Sequence, residues 1–191
     1  MGRTKPITRR TVLLRRDTMS ELARIAASDL IGDSVMQLVA RFPAGETIAL
    51  YAPKDTEVDT ARIDGFARAR RLRVVYPRVV DGSKLLGFHA TPVEALEPGH
   101  FGLREPRPDA PAIELSSIAA FLVPGLAFDR TGGRIGWGRG FYDVTLAAAN
   151  PQALRIGLAF ECQLVDEVPR DPHDIHLHYV VTEAAVYRAA D

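Results

Sequence analysis

The sequence predicts an α/β fold: a three-layer α/β/α arrangement around a mostly parallel sheet, formed by one domain spanning residues 1–191. Three observations carry this. Short apolar runs at 47–51, 73–76, 119–123 and 154–160 have the length and continuity of strands buried on both faces. Segments with apolar residues at helical spacing stand between them, which gives the β-α-β alternation that brings strands together in parallel. Finally, 191 residues is a length at which one core buries about two thirds of the unfolded chain's surface, so no second domain is needed.

Taken in order, Thr4 is placed to cap a first helix with Pro6 in its opening turn. Val12, Leu13, Leu22, Ile25 and Ala26 carry that helix to Ala27, with a break near Met19-Ser20. A second helix is predicted from about Ser28 to Arg41, because Leu30, Ile31, Val35, Leu38 and Val39 recur at helical spacing and Phe42-Pro-Ala-Gly45 ends the pattern. Thr47–Tyr51 reads as a buried strand, Thr60–Arg71 as a helix, Arg73–Tyr76 as the next strand, and Leu85–His89 as another after the Asp81-Gly82 turn. Glu94–Pro111 is rich in proline and charge and reads as an irregular surface crossing. Ala119–Val123 then leads into the Pro124-Gly125 turn, a helix follows from Phe141 to Ala149, and Leu154–Phe160 and Tyr179–Val181 complete the strand set.

Charge and cysteine content narrow the function classes. Lys plus Arg equals Asp plus Glu at 24 each, so no whole-molecule field favours nucleic acid or an anionic membrane, and any anion site must be local. The stretch from Arg3 to Arg16 is basic, which for most of its arginines reads as a solvated helix face. The single cysteine, Cys162, has no internal disulfide partner and reads as a small buried hydrophobe. With no apolar stretch of signal-peptide or membrane-spanning length, the expectation is a cytoplasmic protein. The sequence carries no signal of oligomeric state.

The segment Gly132–Asp143 concentrates the chemistry: five glycines, two arginines and a closing Tyr-Asp in twelve residues. Glycine lets backbone N–H groups approach a ligand closely, the arginines add fixed cationic forks, and the helix that starts at Phe141 puts a positive dipole end directly after the loop. Phosphate is the guest these features suit. The interleaved Ile135, Trp137, Phe141 and Tyr142 argue against a flexible linker. Neither standard nucleotide loop is present: Gly140 is followed by Phe141 where a Walker A loop needs Lys, and Gly138-x-Gly140 is followed three residues on by Asp143 where the dinucleotide pattern needs Gly. Glu57, Pro77-Arg78 and the glycine loop all follow strands, and ligands in such sheets sit at the strands' carboxyl ends.

Val123-Pro-Gly-Leu-Ala-Phe-Asp129 followed by Gly133-Arg-Ile-Gly-Trp-Gly-Arg-Gly-Phe-Tyr-Asp143 resembles the signature of the 5-formyltetrahydrofolate cyclo-ligases, also called methenyltetrahydrofolate synthetases. The likeness extends to Glu57-Val-Asp-Thr60, Tyr76-Pro-Arg78, Ile156-Gly-Leu-Ala-Phe-x-x-Gln163, Val168-Pro and Val180-Val-Thr-Glu183, and so covers nearly the whole chain. It implies a NagB/RpiA/CoA-transferase-like, Rossmann-like topology. The implied reaction is the ATP- and Mg²⁺-dependent conversion of 5-formyltetrahydrofolate to 5,10-methenyltetrahydrofolate, in which the formyl oxygen is phosphorylated and N10 then closes the ring.

The resemblance also implies roles for particular residues. Arg134 and Arg139, with Ile135 and the loop from Gly136 through Trp137, Gly138 and Gly140 to Phe141 and Tyr142, would hold ATP; Arg134, Arg139 and Tyr142 would act in catalysis. Lys5 and Arg9 keep the family's Lys-x-x-Leu-Arg spacing with Thr8 in place of Leu, and Arg10 or Arg15 is the alternative. Glu57, Ala52 and Trp137 would bind the folate, Trp137 either stacking on the pterin or covering the loop. Asp143 would hold Mg²⁺ or serve only as a first-turn acid, and Asp174 is a second metal or nucleotide carboxylate. Phe141 lacks the hydroxyl that many relatives carry there. Two other readings stand beside this one: a metal-dependent hydrolase using His173, Asp174, His176 and His178, and a nucleotide- or folate-binding regulator without turnover.

Overall fold

The protein is described by a computed structural model for residues 4–189; Arg3 of the basic stretch lies outside them. Helix α1 spans Lys5–Asp17, with Thr4 at its N-cap position and Pro6 in its first turn, although the Thr4 side chain makes no capping hydrogen bond. Ser20 starts helix α2 (Glu21–Val39) by accepting a hydrogen bond from the Ala23 amide at 3.2 Å. The break near Met19-Ser20 is therefore present, but the division at Ala27-Ser28 is not: α2 runs through it. Ala27, Ser28, Ile31, Gly32, Val35 and Val39 form one unbroken buried face. The Ser28 hydroxyl accepts from the Asp59 amide at 3.1 Å, a tertiary contact at the position where the second helix was expected to begin.

Eight strands form the main sheet: β1 (Thr47–Ala49), β2 (Arg73–Val79), β3 (Leu86–Ala90), β4 (Ala112–Ile113), β5 (Ile118–Val123), β6 (Leu154–Leu158), β7 (Tyr179–Val181) and β8 (Val186–Arg188). Their order is β8-β7-β6-β5-β1-β2-β3-β4. The centre, from β7 to β2, is parallel, and antiparallel strands close both edges. Along β1 and its extension, Ile48 and Leu50 pack with α2 and α3 (Ala61–Ala69), while Ala49 points to the opposite layer. On β5, Ala120 and Leu122 alternate in the same way with Phe121 and Val123. The second layer is thinner, built from helix α4 (Phe141–Ala148) and loops.

β2 runs three residues past its predicted end, through Pro77. Its parallel neighbour β1 pairs only as far as Val75, so the side on which Pro77 lacks an N–H has no strand to bond. One position pair further on, the Val79 N–H on that same side is taken by the Glu105 carboxylate at 3.1 Å. The Glu94–Pro111 crossing is irregular as expected, apart from a small ribbon of Glu97–Pro98 with Arg104–Glu105. Strand β8 had no sequence signal. It is three residues long, edge-placed and without a fully buried residue.

Candidate active site

A cleft of about 610 Å³ opens at the carboxyl ends of β1, β2 and β5. The loop after β1 forms one wall and the glycine segment the other. Lys5 and Arg9 of α1 and Phe101 of the irregular crossing also reach it. Lys5, Arg9, Ala52, Glu57, the run from Arg134 to Asp143, and Asp174 all line this space, as do Asp171, His173 and Glu105.

The glycine wall is anchored before it is functional. Ala127–Phe128 pairs with Arg134–Ile135, and the turn between them is organised by Asp129. The Asp129 carboxylate is almost wholly buried. It accepts from the Thr131, Gly133 and Val168 amides at 2.9 Å each, from the Thr131 hydroxyl at 2.7 Å, and from Arg170 at 3.0 Å. Burial alone would raise its pKa, but these donors outweigh that and hold it at about 2. Beyond Ile135 the chain enters the loop proper. Gly138 has φ +92° and Gly140 has φ +75°, left-handed values that an L side chain resists. Gly140 is also the N-cap of α4, so the loop ends on that helix's free amides. Arg9 ties α1 to the loop, its Nε donating to the Gly136 carbonyl at 2.9 Å.

The cations of the cleft differ in how they are engaged. Lys5 Nζ contacts Asp171 at 2.7 Å and Asp174 at 2.5 Å. Burial is the largest single influence and lowers the ammonium's pKa, but the two carboxylates together prevail and raise it; Asp174 is correspondingly lowered despite its own desolvation. The buried Arg134 donates to Asp143 Oδ1 at 2.9 Å, its Nε has no partner among the described residues, and its guanidinium lies 5.7 Å from the Tyr142 ring centroid. Asp143 does sit in the first turn of α4, and it is Arg134's counter-ion. Arg139 lies flat on Phe101, 3.6 Å from the ring centroid, with no carboxylate in ion-pair range among the described residues. Arg10 and Arg15 do not line the cleft.

On the opposite wall Glu57 is half-buried. It accepts from the Lys54 amide at 3.1 Å and from Trp137 Nε1 at 3.4 Å, so Trp137 bridges the two walls. Burial raises the Glu57 pKa, opposed by the Lys54 amide, the charge of Arg16 and the indole N–H. Ala52 is buried beside Tyr51, whose hydroxyl is committed to the Val58 carbonyl at 3.1 Å. Tyr142 presents a hydroxyl buried in the cleft with no partner among the described residues, and desolvation pushes its pKa up.

Three groups were missed from sequence. Phe101 sits in a stretch whose composition signals only a surface loop. Asp171 is half of the Lys5 pairing and was legible only as the neighbour of Pro172-His-Asp174. Arg16, read as part of a solvated basic face, is buried, with its Nε on Thr56 Oγ1 at 2.9 Å. The histidines do not assemble. His176 faces Arg170 at 3.1 Å and His178 faces Arg155 at 2.8 Å, so the only metal-spaced group among the described residues is Asp171, His173 and Asp174. Cys162 is half-buried against Met19, and burial raises its thiol pKa.

Comparison with known proteins gives a consistent answer. The profile of the 5-formyltetrahydrofolate cyclo-ligase family matches residues 2–183. A 5-formyltetrahydrofolate cyclo-ligase of Mycolicibacterium smegmatis is 33% identical over 185 residues, covering 94% of both chains. The Escherichia coli protein of that name is 33% identical over 147 residues, 74% of this chain and 80% of its own. Among solved structures, a 5,10-methenyltetrahydrofolate synthetase from Mycoplasma pneumoniae superposes with a TM-score of 0.79 at 25% identity, covering 95% of this chain and 99% of that one. The Aquifex aeolicus 5,10-methenyltetrahydrofolate synthetase gives 0.77 at 27% identity, covering 98% and 93%.

Proposed function

The chain belongs to the 5-formyltetrahydrofolate cyclo-ligase family, and from that premise we propose how its cleft divides between two substrates. As a member of the family it is an enzyme that converts 5-formyltetrahydrofolate to 5,10-methenyltetrahydrofolate with ATP as co-substrate. What supports the division is the distribution of charge: Lys5, Arg9, Arg134 and Arg139 gather around the glycine loop and the start of α4, whereas Glu57 stands on the other wall.

In this reading the ATP phosphates lie over Gly136–Gly140, taking backbone amides and the fork of Arg139, and Arg134 turns from Asp143 toward the γ-phosphate. Glu57 accepts hydrogen bonds from the pterin N–H groups, with Trp137 against the ring and Ala52 leaving it room. The formyl oxygen attacks the γ-phosphorus and the bond to ADP breaks. N10 then adds to the activated carbon, loses its proton, and the C–O bond breaks to release phosphate. Tyr142's unengaged hydroxyl is placed to donate to the formyl oxygen, and the protein's main tasks are alignment and charge neutralisation.

Asp143 and Asp174 offer hard carboxylate oxygens of the kind Mg²⁺ takes together with phosphate. Oδ2 of Asp143 and Oδ1 of Asp174 lie outside the pairs with Arg134 and Lys5, so the residues fit the ion. Bound there, Mg²⁺ would offset the charge of the triphosphate. The lone Cys162 suits a reducing cytoplasm. The deciding experiment follows methenyl absorbance with and without ATP: ATP-dependent product formation is expected, and folded protein that makes none under either condition would overturn the assignment.

A further inference from the structure

Arg16 is one of the most deeply buried large side chains in the molecule, at 1% relative exposure. No carboxylate among the described residues contacts it. Its Nε donates to Thr56 Oγ1 at 2.9 Å, Thr56 passes that bond to the exposed Asp17 at 2.8 Å, and Nη1 and Nη2 have no partner among the described residues. A buried cation without direct neutralisation is costly, and such a group calls for a reason beyond packing. The surroundings supply one. Thr56 immediately precedes Glu57 in the turn closed by the Glu57 N–H to Lys54 carbonyl bond at 3.0 Å, and the guanidinium carbon lies 6.0 Å from the Trp137 ring centroid. Arg16 thus reaches from α1 behind the two residues assigned to the folate.

We infer that Arg16 is a positioning residue for the folate site: it grips the Glu57 turn through Thr56 and supplies a buried positive charge that favours the ionised form of Glu57. The inference rests on the reading of Glu57 as the pterin acceptor. The other groups facing Glu57 cannot do this. Tyr51 just after β1, Tyr142 from α4 and Asp55 in its own loop are neutral or acidic, and the Lys54 ammonium is turned away onto the Phe101 carbonyl at 2.6 Å. Burial pushes the Glu57 carboxyl upward, and Arg16 is the one full positive charge among the groups opposing that push. A protonated Glu57 would lose acceptor capacity and present a donor to a pterin that also donates.

The test is the pH dependence of the folate KM in Arg16→Met and Arg16→Lys, with the Glu57 carboxyl carbon titrated by NMR in the same proteins. In Arg16→Met the acid rise in folate KM should begin about one pH unit higher, roughly tenfold weaker binding on that limb, with the ATP KM unchanged. Arg16→Lys, which keeps the charge, should restore the original limb. A limb and a Glu57 titration unmoved in folded Arg16→Met would overturn the inference, as would an equal, pH-independent loss in both variants. Should Arg16→Met not fold, Thr56→Val releases the guanidinium while leaving the charge in the protein. An upward Glu57 titration there supports the inference and an unchanged one refutes it. Glu57→Gln separates the two readings: a folate KM it leaves untouched removes Glu57 from the folate site, whereas the NMR titration still reports whether Arg16 governs Glu57.

Discussion

Asp129 and Arg134 stand in one hairpin, both buried, and are satisfied in opposite ways. Asp129 is saturated by amides, a hydroxyl and Arg170. Arg134 makes a contact at 2.9 Å to Asp143, a long one to the Pro124 carbonyl at 3.4 Å, and leaves Nε unpaired. A saturated buried group has nothing left to offer a ligand and specifies the fold, while one with spare donors retains capacity for a guest. By this measure one continuous signature divides into a scaffold end, Pro124–Gly133, and a working end, Arg134–Asp143.

Asp129→Asn should produce the largest effect, and on stability. Replacing an acceptor-only carboxylate by a group that must turn an NH₂ toward donors should cost about 3 kcal/mol, read as a lowered denaturant midpoint, with kcat of the folded fraction retained. A comparable loss of kcat at unchanged stability would erase the division. The same carboxyl titrates at about 2 in the fold against an ordinary 3.8, so its stabilisation is complete above roughly pH 4 and drains away as pH falls toward 2. Acid unfolding of Asp129→Asn should lack this component.

Arg134→Ala should show the reverse pattern: kcat/KM for ATP reduced by the equivalent of about 1.5–3 kcal/mol, with little change in the midpoint. Unaltered ATP kinetics would move the phosphate site elsewhere. Glu57→Gln is expected to raise the folate KM about tenfold while sparing that of ATP, since it removes charge and lone pairs and keeps shape. Equal shifts in both constants would merge the two subsites. The smallest effect should be that of Gly138→Ala, about 1 kcal/mol or less of stability from the φ of +92°, with a few-fold rise in ATP KM because the new Cβ would lie 3.2 Å from Arg9 Nη2. Normal ATP kinetics there would show that the loop's curvature does not matter to nucleotide binding.

The strands of the parallel core were readable because residues buried on both faces leave continuous apolar runs, and the cleft was readable because its parts follow those strands. What escaped has physical causes. The α2 boundary was misjudged because the apolar spacing was counted from Leu30 onward, whereas Ala27 and Ser28 already lie on the same buried face and the Ser28 hydroxyl is spent on Asp59 across the structure. Pro77 ended β2 in the sequence, yet its absent N–H faces a position its neighbour strand never reaches. Arg16 could not be distinguished from Arg15: both occur in one basic run, and only packing against Thr56 and Trp137 buries one of them. Phe101 joined the cleft through a tertiary stack on Arg139 that no spacing encodes.

The ion pairs Lys5 with Asp171 and Asp174, and Arg134 with Asp143, have a consequence for ligand exchange. Each of these cations already has a carboxylate attached to the same chain, so the protein carries resident competitors at very high effective concentration. On the proposed reading an incoming phosphate must displace them, and small anions that cannot span several cations at once would compete poorly. Among the carboxylates released in that exchange, Asp143 and Asp174 are the groups proposed to receive a divalent ion arriving with the nucleotide. On the proposed reading, the cleft is thereby selective for a polyvalent anion that brings its own counter-charge.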